Sequence, residues 1–87
     1  MTERESEDAI RRKRLLYRAG HRGMKEMDLI LGRFAEERLP KMSEPELAEF
    51  EAIIDYPDIS LYRWITGQDP VPPRFDGPLL RALCKAG

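Results

Sequence analysis

Residues 24–38 read MKEMDLILGRFAEER, and this stretch decides the fold class. Its apolar residues recur at spacings of three and four, which is the period of an α-helix with one buried face. The stripe consists of Met24, Met27, Ile30, Leu31, Phe34 and Ala35, and it leads to Arg38. Pro40 is predicted to end the helix, because proline lacks a backbone donor and disfavours helix in the residue before it.

The residues before this stretch predict a first helix that runs from a Ser6 N-cap to about Arg18. Acidic residues follow Ser6 directly, where carboxylates favour the positive end of a helix dipole. The side expected to face the core carries Leu15, Leu16 and Ala19. Gly20 is predicted to end the helix in a left-handed conformation, which only glycine adopts without steric cost.

The residues after Pro40 predict a third helix. Ser43 and Glu46 have the spacing of a capping box, in which each side chain bonds to the backbone of the other residue. The apolar face of the helix then carries Leu47, Phe50, Ile53 and Ile54. Residues 55–58 read DYPD, and Pro57 is expected to break the chain there.

Two shorter helices complete the prediction. Asp58 is expected to cap a helix over 59–66 that ends at Gly67. Its core residues are Leu61, Trp64 and Ile65. Residues 68–75 contain three prolines and read as an extended connection. Pro78 suits the first position of a last helix, and its apolar residues are Leu79, Leu80 and Leu83.

The whole pattern predicts an all-α protein, a small five-helix bundle formed by one domain over 1–87. Residues 1–6 are expected to be flexible, and residues 68–87 to form an extended segment followed by the short C-terminal helix. A chain of 87 residues buries only about 60–65% of its unfolded surface. So small a core is not expected to enclose both a large cofactor and a complete active site.

Composition excludes several classes of protein. Charged residues make up 36% of the chain, and no apolar run approaches the roughly 20 residues that span a bilayer. Residues 1–14 carry four acids and no apolar segment, so neither a signal peptide nor a transit peptide is expected. The single cysteine, Cys84, and single histidine, His21, form neither a disulfide nor a zinc site. We therefore expect a reducing, cytosolic compartment.

Charge is distributed unevenly along the chain. Seven basic residues and no acid lie within residues 11–25, whereas acids gather between residues 36 and 58. Such a polarity can orient a protein on a charged partner, although each charge taken singly also fits a solvated helix face. A small nucleic-acid-binding or regulatory protein that uses the Arg11 to Lys25 stretch is the alternative function. The overall pI of about 5.8 argues against nucleic acid.

Residues that could perform catalysis do not form a recognisable set. His21 and Cys84 lie 63 positions apart, and there is no phosphate loop, dinucleotide fingerprint or nucleophilic serine motif. Glu26 and Asp28 are two residues apart, so a helix points them to different sides. We therefore expect no enzyme, no catalytic residue and no metal site. Arg22 and Gly23 at the entrance of the second helix indicate either an interaction patch or simple helix capping.

The run from His21 to Asp28, HRGMKEMD, resembles the Arg-Gly-x-x-Glu motif of the flavinylation factors of succinate dehydrogenase, a bacterial and mitochondrial family. Residues 55–58, followed by Leu61 and Trp64, resemble the second signature of that family, an Asp-Pro-Asp turn leading to a tryptophan. Leu31, Phe34 and the region of Leu39 also continue as in members of that family, so the resemblance covers about residues 11–67, in order. Position 21 is often arginine in the family, whereas here it is His21.

The resemblance implies a five-helix assembly factor that binds the flavoprotein subunit of succinate dehydrogenase and promotes covalent attachment of FAD to a client histidine. FAD is then the client's cofactor, and none is held stably by this chain. The implied client-contacting residues are Arg22, Gly23, Glu26 and Asp28, with Met24, His21 and Arg14 as neighbours. A monomer without membrane insertion is expected, in the bacterial cytoplasm rather than the mitochondrial matrix. Binding of free FAD and a fumarate reductase client are left open.

Overall fold

The computed structural model describes residues 6–86, and this part of the chain folds into five α-helices without strands. Their bounds are α1 Glu7–Gly20, α2 Lys25–Arg38, α3 Glu44–Asp55, α4 Asp58–Ile65 and α5 Pro78–Ala86. The predicted all-α bundle is therefore confirmed. The expected flexibility of residues 1–6 concerns mainly residues 1–5, which lie outside the described part.

Helix α1 begins as expected, with the Ser6 hydroxyl accepting a hydrogen bond from the Ala9 N–H at 3.1 Å. Leu15 and Ala19 are buried. Leu16 was predicted to face the core and is instead 39% exposed. It lies on the flank of the helix, beside a shallow groove shared with Leu39.

The predicted left-handed end at Gly20 is wrong, because α1 continues through Gly20 and its φ is not positive. Gly20 instead lies against Gly32 of α2, where a Cβ built on Gly32 would stand 3.6 Å from the Gly20 Cα. Absence of side chains lets the two helix backbones approach closely. The left-handed glycine that reverses the chain is Gly23, with φ of 99°.

The core joins the predicted apolar faces of all five helices. Buried side chains include Met27, Leu31, Phe34 and Ala35 of α2; Leu47, Phe50, Ile53 and Ile54 of α3; and Leu61, Ile65, Leu79, Leu80 and Leu83 of the last two helices. Trp64 is only half-buried and packs against Tyr56 and Phe75, with ring centroids 5.7 and 5.6 Å away. Its expected core role therefore takes the form of an aromatic cluster at the edge of the core.

Two further predicted helix ends are confirmed and one is wrong. The Ser43–Glu46 capping box is present with both of its bonds, and α2 ends at Arg38, two residues before Pro40. Asp58, the predicted cap of α4, is instead the first residue of that helix, and Pro57 occupies the cap position without a side-chain bond. The Asp58 carboxylate contacts a different element, described below.

The C-terminal helix is held by α3. The Glu49 carboxylate accepts hydrogen bonds from the backbone N–H groups of Leu79 and Leu80, each at 3.2 Å, and so caps the N-terminus of α5. The connection before it is not purely extended, because Pro73–Phe75 form a 3₁₀ turn. Among residues 6–86, no helix combines the length and apolar character needed to cross a membrane.

Candidate docking surface

Residues 21–24, here called the motif loop, join α1 to α2 and contain the predicted Arg-Gly pair. Gly23 adopts a φ of 99°, a conformation in which a side chain would be strained. A Cβ at this position would meet nothing within 4 Å. The turn therefore requires glycine at position 23, and the space next to its Cα is open.

The Arg22 side chain points inward and is only 9% exposed. Its Nη1 donates to the Ile54 carbonyl at 2.6 Å, its Nη2 donates to the Tyr56 carbonyl at 2.7 Å, and its Nε forms an ion pair with Asp58. The two carbonyls lie at the C-terminal end of α3, where helix geometry leaves such groups without partners and concentrates negative charge. One guanidinium thus ties the motif loop to the α3–α4 junction.

Asp28 holds the same loop from the other side. Its Oδ1 accepts a hydrogen bond from the Arg22 backbone N–H at 2.5 Å, and the residue is half-buried. Met24 occupies the N-cap position of α2 without a capping side chain, and it packs in part against the core. Arg22, Met24 and Asp28 therefore shape the loop from within.

The other predicted residues face solvent. His21, Gly23, Glu26 and Arg14 are all exposed. The His21 ring stacks on Tyr17, with centroids 3.9 Å apart and planes within 11°, and its Nδ1 lies 2.7 Å from the Tyr17 carbonyl oxygen. Arg14 shares this face of α1, since residues three and four apart lie on one side of a helix.

Sequence reasoning missed Asp58 as a partner of Arg22. The two residues are separated by 36 positions. An aspartate at the start of a helix is already explained by its role as a helix cap, so no distant partner was sought for Asp58. An ion pair between distant elements leaves no periodic signal in a sequence. The Asp55-Tyr56-Pro57-Asp58 signature of the resemblance was the available hint, because its residues contribute two of the three contacts to Arg22.

The basic stretch is largely engaged within the protein. Arg11 bonds to Glu44 at 2.6 Å and to Glu51 at 2.8 Å, and Arg18 pairs with Asp55 at 2.7 Å. The hydrogen bond from Arg11 holds the pKa of Glu51 below its usual value. These pairs connect the basic α1 to the acidic α3, so the oppositely charged segments of the sequence contact each other in the fold. They leave less positive charge for a phosphate backbone than the nucleic-acid alternative requires.

The remaining reactive groups do not join this surface. Cys84 donates to the Trp64 carbonyl at 3.7 Å, and burial raises the pKa of its thiol, which disfavours the nucleophilic thiolate. A groove of about 620 Å³ lies beside it and is lined by none of the motif residues. Within residues 6–86, no three His, Cys, Asp or Glu side chains are grouped to hold a metal ion.

Comparison with known proteins identifies the family. Residues 13–86 match the family described as "Flavinator of succinate dehydrogenase". The chain belongs to this family. That match includes the motif loop and the α3–α4 junction, the two segments that carry the resemblance in the sequence.

Individual relatives agree with this membership. The chain is 40% identical over 75 residues to the FAD assembly factor SdhE of Acetobacter pasteurianus, which covers 86% of this chain and 69% of that protein. It is 37% and 42% identical to the mitochondrial succinate dehydrogenase assembly factor 2 of Dictyostelium discoideum and of Scheffersomyces stipitis. It spans about half the length of those two mitochondrial proteins, 51% and 52%.

Proposed function

We propose that this protein is an assembly factor that binds the flavoprotein subunit of succinate dehydrogenase and promotes covalent attachment of FAD to a histidine of that subunit. Family membership supports this function, since the family is described as a flavinator and its members are named assembly factors. FAD is then the cofactor of the client. The protein acts on the client without being an enzyme.

The proposed mechanism is conformational. Bond formation between a histidine and the flavin uses the reactivity of the flavin and of the client. A partner that stabilises the client conformation in which these groups are aligned accelerates the step by proximity, without transferring a proton. Such a partner needs a rigid surface of defined shape. The motif loop meets that need, because Arg22 and Asp28 hold it from two sides.

Within the predicted client-binding set, the structure supports a division of roles. Glu26, Gly23, His21 and Arg14 are exposed and are proposed to contact the client directly. Arg22, Asp28 and Met24 are proposed to contribute mainly by holding the loop that presents them. The single observation that carries this division is the Arg22 guanidinium, which is only 9% exposed and bonded to three groups of its own chain.

A flavinylation assay tests the proposal. Purified flavoprotein subunit without covalent flavin is mixed with FAD and this protein, and covalent FAD is followed by fluorescence of the denatured subunit. Glu26→Ala is expected to slow the reaction at limiting assembly factor. The matched control is Glu37→Ala, because Glu37 is also an exposed glutamate on the same helix, about 16 Å along its axis by the rise per residue.

The assay has two informative failures. If the unaltered protein does not raise the rate of covalent attachment, the proposed function is wrong. If Glu26→Ala and Arg22→Ala both work at the normal rate, the motif loop is not the docking surface. A fumarate reductase client, a monomeric state and a bacterial cytoplasmic location stay predictions, and relatives of both bacterial and mitochondrial origin match this chain.

A further inference from the structure

The Arg22 side chain is received by one short segment, residues 54–58, here called the acceptor turn. This segment ends α3 and begins α4. It supplies the Ile54 carbonyl, the Tyr56 carbonyl and the Asp58 carboxylate to a single guanidinium. These groups lie 32, 34 and 36 positions after Arg22 in the sequence. The acceptor turn and the motif loop therefore form one unit in space although they are distant along the chain.

Pro57 makes the carbonyls of the acceptor turn available. The residue before a proline is disfavoured in a helix, and Tyr56 is extended, with φ of −74° and ψ of 150°. Helix α3 therefore ends at Asp55. A helical carbonyl accepts from the N–H four residues later, so the end of a helix leaves its last carbonyls without helical partners. The Arg22 guanidinium binds two carbonyls at this end.

Asp58 supplies what the carbonyls lack, a full negative charge. Arginine keeps its proton in proteins, and the Arg22 side chain is only 9% exposed. A shielded cation is unfavourable unless an anion compensates it. In the described part of the chain, Asp58 is the acid that pairs with this guanidinium, and its own side chain is 23% exposed. The inward orientation of Arg22 thus depends on the charge of Asp58.

Arg22 transmits this anchoring to the backbone of the motif loop. Its backbone N–H is bonded to Asp28, while its side chain is bonded to the acceptor turn. The neighbours on either side, His21 and Gly23, are exposed and belong to the surface proposed to contact the client. Without the charge of Asp58 the guanidinium would turn toward solvent, and the loop would lose one of its two hydrogen-bonded anchors.

We propose that Asp58 is a positioning residue for docking on the flavoprotein subunit. Its carboxylate keeps the Arg22 guanidinium in the acceptor turn and thereby holds the motif loop in the conformation that the client binds. Asp58 acts through Arg22 and not by contact with the client. The proposal rests on the proposed function, and it gives the second signature of the sequence, residues 55–58, a role in the same docking event as the Arg-Gly motif.

The test uses Asp58→Asn, which keeps the size of the side chain and one acceptor oxygen but removes the charge. The dissociation constant of the full chain for the isolated flavoprotein subunit is measured by calorimetry. It should rise about tenfold, within the range of coupling between residues of one hydrogen-bond network. Asp58→Glu restores the carboxylate and should bind more tightly than Asp58→Asn.

The matched control is Asp8→Asn. Asp8 also pairs with an arginine of its own chain, Arg12, but it is 55% exposed and lies about 20 Å along α1 from His21 by the rise per residue. Because exposed ion pairs contribute little, this variant should bind within about twofold of the unaltered protein.

Two further measurements separate positioning from a purely structural role. Binding is measured at a temperature where circular dichroism shows more than nine-tenths of each variant folded. Unfolding then raises the apparent dissociation constant by only about a tenth, so a tenfold rise reflects the folded molecule. In an Arg22→Ala background, Asp58→Asn should weaken binding by less than about twofold more, because residues that act through one another are not additive.

Each contrary result has a defined meaning. Unchanged affinity of folded Asp58→Asn, or an equal loss with and without Arg22, overturns the positioning role of Asp58. Affinity of Asp58→Glu no better than that of Asp58→Asn overturns the role of its charge. Failure of the unaltered protein to bind the flavoprotein subunit contradicts the proposed function itself, so the two kinds of failure are distinguishable.

Discussion

Two connections of this bundle contain a left-handed glycine, but they are anchored by different means. The motif loop, residues 21–24, turns at Gly23 with φ of 99°, and the connection between α4 and α5, residues 66–77, turns at Gly67 with φ of 79°. The first is anchored by the largely shielded guanidinium of Arg22, which reaches another helix junction. The second is anchored by rings and by ion pairs with the helices that it joins.

The longer connection shows what ordinary anchoring looks like in this protein. Phe75 packs against Tyr56 and Trp64, with ring centroids 4.7 and 5.6 Å apart. Asp69 pairs with Arg63 of the preceding helix, and Asp76 pairs with Arg81 of the following one. These ion pairs are exposed and local in sequence, so each contributes little to stability.

The comparison indicates that the motif loop is held in one conformation by contacts with other elements. A short loop could be closed by glycine alone, yet the motif loop also uses Arg22 and Asp28 to bind its backbone and the ends of two distant helices. Because these contacts cross between elements, a change in the motif loop affects the α3–α4 junction, and the reverse is also true. Changes in the ion pairs of Asp69 and Asp76 should stay local, whereas Phe75 touches Tyr56 of that same junction.

The largest effect is expected from Arg22. Arg22→Ala removes every donor that serves Ile54, Tyr56 and Asp58, and it should lower the free energy of unfolding by about 3 kcal/mol, as loss of one partner from a buried polar group does. Arg22→Lys keeps the charge but not the planar fork of donors, so it should recover only part of this loss. Chemical denaturation monitored by circular dichroism measures both.

Arg18→Lys is the control for that experiment. Arg18 is 49% exposed, and its single partner Asp55 is 71% exposed. Exchange of this exposed pair should change stability by at most about 0.5 kcal/mol. Equal stability of Arg22→Lys and Arg18→Lys would contradict the view that the motif loop is anchored through Arg22.

A smaller and more specific effect is expected from the two glycines. Gly23→Ala and Gly67→Ala each force an L side chain into a left-handed conformation, at a cost of about 1–2 kcal/mol in stability. A new Cβ meets no neighbour within 4 Å at either position, so the two variants should lose similar stability. Only Gly23→Ala should also weaken binding to the flavoprotein subunit, because its Cβ stands on the proposed docking surface.

Unfolding midpoints and dissociation constants of the same two preparations check this prediction. The pair is informative because the stability cost is matched and the location differs. If Gly67→Ala impairs client binding as strongly as Gly23→Ala, the loss arises from general destabilisation. The distinction between the two connections would then have no functional meaning.

Most of the fold follows from local rules that the sequence displays. The three-four spacing of α2 and the capping box at Ser43 depend only on neighbouring residues, and both are present. The errors occur where two distant segments meet. Gly20 stays helical because it faces Gly32, and Asp58 leaves the cap of α4 because it pairs with Arg22. Neither partner can be identified from local spacing.

The candidate site was predicted as a set of residues but not as an arrangement. The sequence places Arg22 and Glu26 around a helix entrance, and it leaves both an interaction patch and simple helix capping as interpretations. The structure turns Arg22 inward, while Glu26 stays exposed. Whether a long side chain bonds to carbonyl groups of another element depends on three-dimensional packing. The charge of the residue and its position along the chain do not determine it.

The smallest effect concerns the ion pairs of the longer connection in acid. Hydrogen bonds from Arg63 and Arg81 lower the pKa of Asp69 and Asp76 below the ordinary value of 3.8. A carboxylate with a lowered pKa in the folded state stabilises the protein above its unfolded pKa, and this contribution is lost as the pH falls through the folded pKa. The thermal midpoint should therefore fall less steeply below pH 4 in the Asp69→Asn, Asp76→Asn double variant than in the unaltered protein.

At pH 6 the double variant should be slightly less stable and should bind the flavoprotein subunit normally, since neither residue contacts the motif loop. Weakened binding at pH 6 would show that these ion pairs affect the motif loop, and the local character assigned to the two pairs would then be wrong.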